Sequence, residues 1–181
     1  MMGGYWQSDN YFQGRAVEPG LRISIEEANQ RADQFLTAFG SGLKITEIME
    51  FSNNFYVVVE EEGTGKAAFE LLIDPDTGSV YPEPGPNMMW NQKYGHMAYD
   101  RGDLGENQIL VENARQLAQE YLDAVLPSAQ VEADGFSFYG YYTFDYTVDG
   151  KIAGMLSVHA FGGQVWLHTW HGEFIQEMEM E

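Results

Sequence analysis

SIEEANQRADQFLTAF, residues 24–39, and FELLIDPDTGSVYP, residues 69–82, open and close a segment that the chain then writes a second time. A shift of 86 residues lays Ile25 on Val111, Glu26 on Glu112, Ala28 on Ala114 and Gln30 on Gln116. It also lays Ala32 on Ala118, Phe35 on Tyr121 and Leu36 on Leu122. After a net loss of one residue the shift becomes 85: Lys66 meets Lys151, Leu71 meets Leu156, Ile73 meets Val158, Gly78 meets Gly163 and Val80 meets Val165. Matches that keep their order through helix, turn and strand read as a tandem duplication.

Each copy begins with a helix pattern. Ser24 is a good N-cap, and Glu26 and Glu27 sit in the first turn, where the helix dipole favours negative charge. Ile25, Ala28, Ala32, Phe35, Leu36 and Phe39 recur at helical spacing and make one apolar face, which Gly40 and Gly42 end. Strands are expected over 45–51, 55–61 and 67–74, with turns at Asn53-Asn54 and Gly63-Thr64-Gly65, and a further strand over 79–81. The second helix pattern runs from about Gln108 to Leu126 and stops at Pro127. It is followed by the aromatic run FSFYGYYTFDYTV (136–148), an Asp149-Gly150 hairpin turn, and strands over 152–160 and 164–171.

The expected fold is therefore α+β: two tandem helix-plus-antiparallel-meander repeats. Residues 1–23 form an N-terminal arm, 24–86 the first repeat, 87–107 a long linker, 108–172 the second repeat and 173–181 an acidic tail. The arm carries Tyr5, Trp6, Tyr11 and Phe12, apolar groups that a free tail would leave in water. The linker holds Met88, Met89, Trp90, Tyr94, His96 and Met97 among prolines and glycines that prevent a continuous helix or a central strand.

Charge and composition narrow the function. The 181 residues include 28 acidic against 9 basic side chains, a formal net charge of -19, and no cysteine. Such a surface repels phosphate backbones and anionic lipid, so nucleic acid is not an expected partner. Without cysteine there is no disulfide, thiolate zinc site or thiol nucleophile. No run approaches the roughly 18 apolar residues of a membrane helix. The start, MMGGYWQSDN, lacks the basic and apolar regions of a leader, so the chain is expected to be either cytoplasmic or a mature chain whose leader has been removed.

Asp74-Pro75-Asp76-Thr77-Gly78-Ser79-Val80, following Phe69-Glu70-Leu71-Leu72-Ile73, resembles the closing turn and strand of the PepSY family, and the opening helix with Ala28 and Ala32 also fits. The second copy departs from the pattern, since Phe161-Gly162-Gly163-Gln164-Val165 has lost both the Asp and the Thr. PepSY units occur in the propeptides of secreted thermolysin-like metallopeptidases, as chaperones or inhibitors, and alone in exported proteins. The resemblance implies a non-catalytic extracellular or periplasmic binding module and carries over no catalytic residue.

Chemistry-bearing residues are few. No G-x-S-x-G, P-loop or dinucleotide fingerprint is present, and the chain is read as non-enzymatic. Met88, Met89, His96 and Met97 place three thioethers and an imidazole within ten residues, soft ligands suited to Cu(I), although no cofactor is required by the fold. The same side chains also serve as adaptable contact surface. Tyr5, Trp6, Tyr11, Phe12, Trp90, Tyr94, Trp166 and Trp170 are the candidate partner contacts. His168 and His171, three apart in an expected strand, point to opposite faces and make a poor chelating pair. Asp74-x-Asp76-x-Gly78 echoes a calcium loop but lacks the remaining ligands, and turn chemistry accounts for it. Two partner classes follow: further copies of the chain, through the aromatic arm and linker, or a secreted peptidase.

Overall fold

The structure, a computed structural model, describes residues 21–96, 98 and 105–180. The arm aromatics Tyr5, Trp6, Tyr11 and Phe12, and Met97 of the linker, lie outside the described residues. The chain divides into two compact units, one of residues 1–83 with 171–181 and one of residues 84–170. Both are α+β with antiparallel sheets.

In the first unit, helix α1 (Ile25–Leu36) starts where Ser24 caps it, the Glu27 N–H donating to Ser24 Oγ at 3.2 Å. A 3₁₀ turn, Thr37–Phe39, and Gly40 in a positive-φ conformation end it. Strands β1 (Leu43–Phe51), β2 (Phe55–Glu61), β3 (Ala67–Ile73) and β4 (Val80–Pro82) form a meander, and β9 (Phe174–Glu179) adds to β1, giving the order β4-β3-β2-β1-β9. The α1 side of this sheet carries Ile48, Val57 and Leu71, paired across the strands and all buried, with the Phe39 ring 5.2 Å from that of Phe69. The fully buried Ala28 and Ala32 bring the helix backbone close to the sheet. Burial of a Leu, Ile or Val side chain is worth about 1.5–3 kcal/mol, so this layer holds the unit together. The Asp74 turn forms as its residues dictate: Asp74 Oδ1 accepts from the N–H of Asp76 at 2.9 Å and of Thr77 at 2.7 Å. Burial alone would raise the Asp74 pKa, but these donors outweigh it and hold the carboxyl below its usual value.

In the second unit, a short helix α2 (Pro86–Met89) precedes the long helix α3 (Val111–Val125). Strands β5 (Ala129–Ser137), β6 (Tyr141–Val148), β7 (Lys151–His159) and β8 (Val165–Leu167) then pair in sequence order. Ala114, Ala118 and Leu122 of α3 pack on Tyr142, Phe144, Leu156 and Val158. The Asp149-Gly150 hairpin forms as expected, both residues at positive φ.

Four expectations need correction. Residues 174–179, expected as a tail, form β9; edge strands are half solvated and need no apolar run, so the acidic sequence concealed the strand. Strand β5, an edge strand of its sheet, begins at Ala129, well before the aromatic run; Gln130, Glu132 and Asp134 are exposed and polar, which concealed it. The segment 87–107 is not a plain linker. It contains most of α2, and buried Asn91 accepts from the N–H groups of Lys93 and Tyr94 through Oδ1, fixing a turn. The last strand of the second unit ends at Leu167, so His168 and His171 do not share one. Among the described residues no helix is long and apolar enough to cross a membrane.

Candidate functional site

The sheet face of the first unit opposite α1 is unusual because buried carboxylates replace apolar groups. Alternation places Glu47 opposite Val58 and Val58 opposite Glu70, while the Glu83 N–H donates to the Glu70 carbonyl at 3.0 Å. Glu70 and Glu83 are both 0% exposed. Buried carboxylates persist only when hydrogen-bonded or paired. Glu70 Oε1 accepts from the Tyr56 hydroxyl at 2.7 Å, and Glu83 Oε1 lies 2.9 Å from His171 Nε2.

His171 is the centre of this network. Its Nδ1 lies 2.8 Å from Asn54 Oδ1, its ring stacks on Phe51 at 4.7 Å, and it meets the edge of Tyr56 at 5.5 Å. A carboxylate only accepts, so His171 donates from Nε2 to Glu83, and its Nδ1 bonds to the side-chain amide of Asn54. The result is a buried, charge-assisted clamp on the first residue of the returning segment.

Burial pushes the Tyr56 phenol well above its ordinary range, and the negative charge of Glu70, Glu83 and Glu47 adds to the shift. A raised folded-state value means the stabilisation is complete below the unfolded phenol's pKa of about 10 and is lost as pH rises beyond it. Urea midpoints measured from pH 8 upward should therefore fall steeply above about pH 10. Tyr56→Phe should flatten that fall; an unchanged slope would show that Tyr56 is not the group responsible.

The second unit carries a buried chain of hydrogen bonds of its own. Thr143 Oγ1 and Ser157 Oγ are 2.8 Å apart, and Ser157 Oγ is 2.8 Å from His168 Nε2. A serine beside a histidine is the pairing used for nucleophilic catalysis. Here all three residues are buried and a threonine hydroxyl occupies the other side of Ser157, which makes the chain a core element.

The candidate contact residues mostly pack within that unit. Trp90 meets His159 at 5.0 Å and Trp166 at 5.4 Å, both edge-on, and Trp170 stacks on His168 at 4.7 Å. Gly85, at positive φ, lies under the Trp166 and Trp170 rings, where a Cβ would stand 2.9 Å from Trp170. Tyr94 packs on Tyr139 at 6.1 Å, and the Lys93 ammonium lies over both rings. Of the soft-ligand group, Met88 is half-buried, while Met89 and His96 are exposed.

Sequence reasoning missed Glu70, Glu83, Tyr56 and Asn54. A signal for Glu70 existed, a single carboxylate inside the apolar strand Ala67–Ile73. Glu83 lay hidden between two prolines, and His171 depends on a contact with residues more than 80 positions away.

No family model matches the chain, and no curated protein matches it. Among solved structures, the C-terminal domain of YpeB from Bacillus megaterium is 16% identical, with a TM-score of 0.40 over 86% of this chain and 70% of that one. A candidate lipoprotein from Clostridium difficile 630 is 13% identical, with a TM-score of 0.24 over 87% of this chain and 97% of the other.

Proposed function

We propose that this chain is a non-catalytic, PepSY-like tandem-repeat protein of the extracellular or periplasmic side that assembles with copies of itself. The repeat reading is supported by element positions. Helices α1 and α3 start 86 residues apart, at Ile25 and Val111. Strands β1 and β5 have equal lengths at the same shift, and β4 and β8 correspond at a shift of 85.

One observation carries the assembly reading. Leu110 and Val111 are 68% and 40% exposed at one end of α3, and Val125 and Leu126 are 51% and 37% exposed at the other. A helix of this length separates the two patches by about 22 Å. Two distinct apolar patches on one molecule favour a head-to-tail contact, which builds rings or filaments. The charge of -19 opposes association, so assembly should strengthen as salt screens it. The arm aromatics Tyr5, Trp6, Tyr11 and Phe12 would add contacts of the same kind.

Light scattering at rising salt tests this. The expected result is a mass above the 20.5 kDa chain that falls back to it in Leu110→Glu or Leu126→Glu. A monomer at every salt concentration would remove the reading, and if that monomer blocked a secreted metallopeptidase, the inhibitor class would replace it. Cu(I) binding by Met88, Met89, His96 and Met97 is a separate proposal, decided by whether Met88→Leu/Met89→Leu weakens Cu(I) uptake.

A further inference from the structure

Each sheet ends in two edge strands, and an open strand edge is a template for one more strand. Three of these four edges are poor templates. Strands β4 and β8 are three residues long, and β4 ends in Pro82, which has no N–H to donate. Strand β5 is longer, but Gln119 of α3 already occupies its main chain. The Gln119 side-chain amide accepts from the Val131 N–H at 2.9 Å and donates to the Ala129 carbonyl at 3.1 Å. A register shift between Val131 and Gly135 then breaks the line of that strand.

Strand β9 differs from all three. Its inner side is firmly seated, paired with β1 from Glu47 opposite Glu179 to Phe51 opposite Phe174, and Gln176 Nε2 donates to Glu50 Oε2 at 2.6 Å. Among the described residues no strand pairs with its outer side. Ile175, Gln176, Glu177 and Glu179 are exposed.

The side chains along this edge are selective. Glu177 and Glu179, two apart, project from one face of the strand, and Glu47 stands directly opposite Glu179 on that face. Like charges opposite one another destabilise a ladder and opposite charges stabilise it. A further acidic strand beside β9, a second copy of β9 included, is therefore rejected, whereas an ammonium or guanidinium there is attracted by two carboxylates on the strand itself. The net charge of -19 extends the same preference to longer range. Repulsion of one class and attraction of the other together make a specific edge.

We propose that the outer edge of β9 is a docking site for an extended basic segment of a partner protein, with Lys or Arg at every second position, which adds to the sheet as a further strand. Main-chain hydrogen bonds to β9 hold the segment, and Glu177 and Glu179 select its sequence. This surface belongs to the first unit and goes beyond the assembly reading, which uses α3 of the second.

The test uses the full-length chain at low salt and a synthetic octapeptide alternating lysine and valine. Two control peptides divide the interaction: one with every lysine acetylated, which removes the charge, and one N-methylated at every residue, which keeps the charge and removes the main-chain donors. The lysine peptide should bind roughly tenfold more tightly than either control, and Glu177→Lys/Glu179→Lys should weaken it by a similar factor. Amides of 174–179 should also exchange more slowly when the peptide is bound. Equal binding of the N-methylated peptide would reduce the contact to charge attraction and overturn strand addition. Unchanged binding by the double variant, or no binding of the lysine peptide to the parent chain, would overturn the site. Should the double variant unfold at a lower urea concentration than the parent, Glu177→Gln/Glu179→Gln replaces it, with a smaller loss in the same direction expected and no loss overturning the site.

Discussion

Replacing His171 by alanine should lower the free energy of unfolding by about 3–5 kcal/mol, as expected for taking the imidazole away from a buried carboxylate. The substitution takes from Glu83 its imidazole partner at 2.9 Å and from Asn54 its contact at 2.8 Å, and it empties the space against Phe51 and Tyr56. The loss should be local as well as global. Amides of residues 173–180 should exchange with solvent faster relative to those of β2 and β3, because His171 begins the segment that carries β9. A double-mutant cycle with Glu83→Gln separates pairing from packing, since a charged pair gives a coupling that neutral packing does not. A loss below about 1 kcal/mol would mean the histidine is not paired in the interior.

Phe144→Ala should cost about 3–5 kcal/mol in the second unit. Phe144 is 1% exposed and packs with Leu122, Ala118 and Leu156 in the core under α3. It has a second duty. Gly135 of the edge strand β5 is its direct cross-strand partner, and the Phe144 ring lies where a side chain of residue 135 would stand. An aromatic ring that covers a glycine on a neighbouring edge strand stabilises the pairing there. Alanine therefore opens a cavity and also uncovers the β5–β6 ladder. Urea unfolding measures the loss, and amide exchange in Phe136 and Ser137 should quicken with it. A variant within about 1 kcal/mol of the parent would show that the core can collapse around the gap.

These two sites differ in how far the sequence announces them. Phe144 lies in the run 136–148, and α1 and α3 were legible because apolar residues at helical spacing are a short-range pattern with a strong period. The turn at Asp74 was equally legible, since its hydrogen bonds join residues two and three apart. Strands β5 and β9 were not, because an edge strand satisfies only one side of its backbone and leaves its side chains free to be polar. The buried network was hidden for a different reason. Tyr56, Glu70, Glu83 and His171 come from β2, from β3, from just after β4 and from just before β9, and only strand register assembles them. A glutamate between two prolines carries no mark of burial by itself. The aromatic residues of 90–97 raised the opposite problem: they looked like free contact surface, whereas Trp90 and Tyr94 pack on partners from β7, β8 and the β5–β6 turn.

The discontinuity of the first sheet also sets a timetable for synthesis. Glu50 and its partner Gln176 are 126 residues apart, so β1 cannot acquire its outer neighbour until the whole second unit has been made. The strands of the second unit pair in sequence order, each with the next, and can close before β9 is made. Contacts between distant parts of a chain form slowly because the intervening loop must be ordered first. A nascent molecule therefore passes through an interval in which the pocket of Phe51, Asn54 and Tyr56 is built but unfilled and the edge of β1 is open.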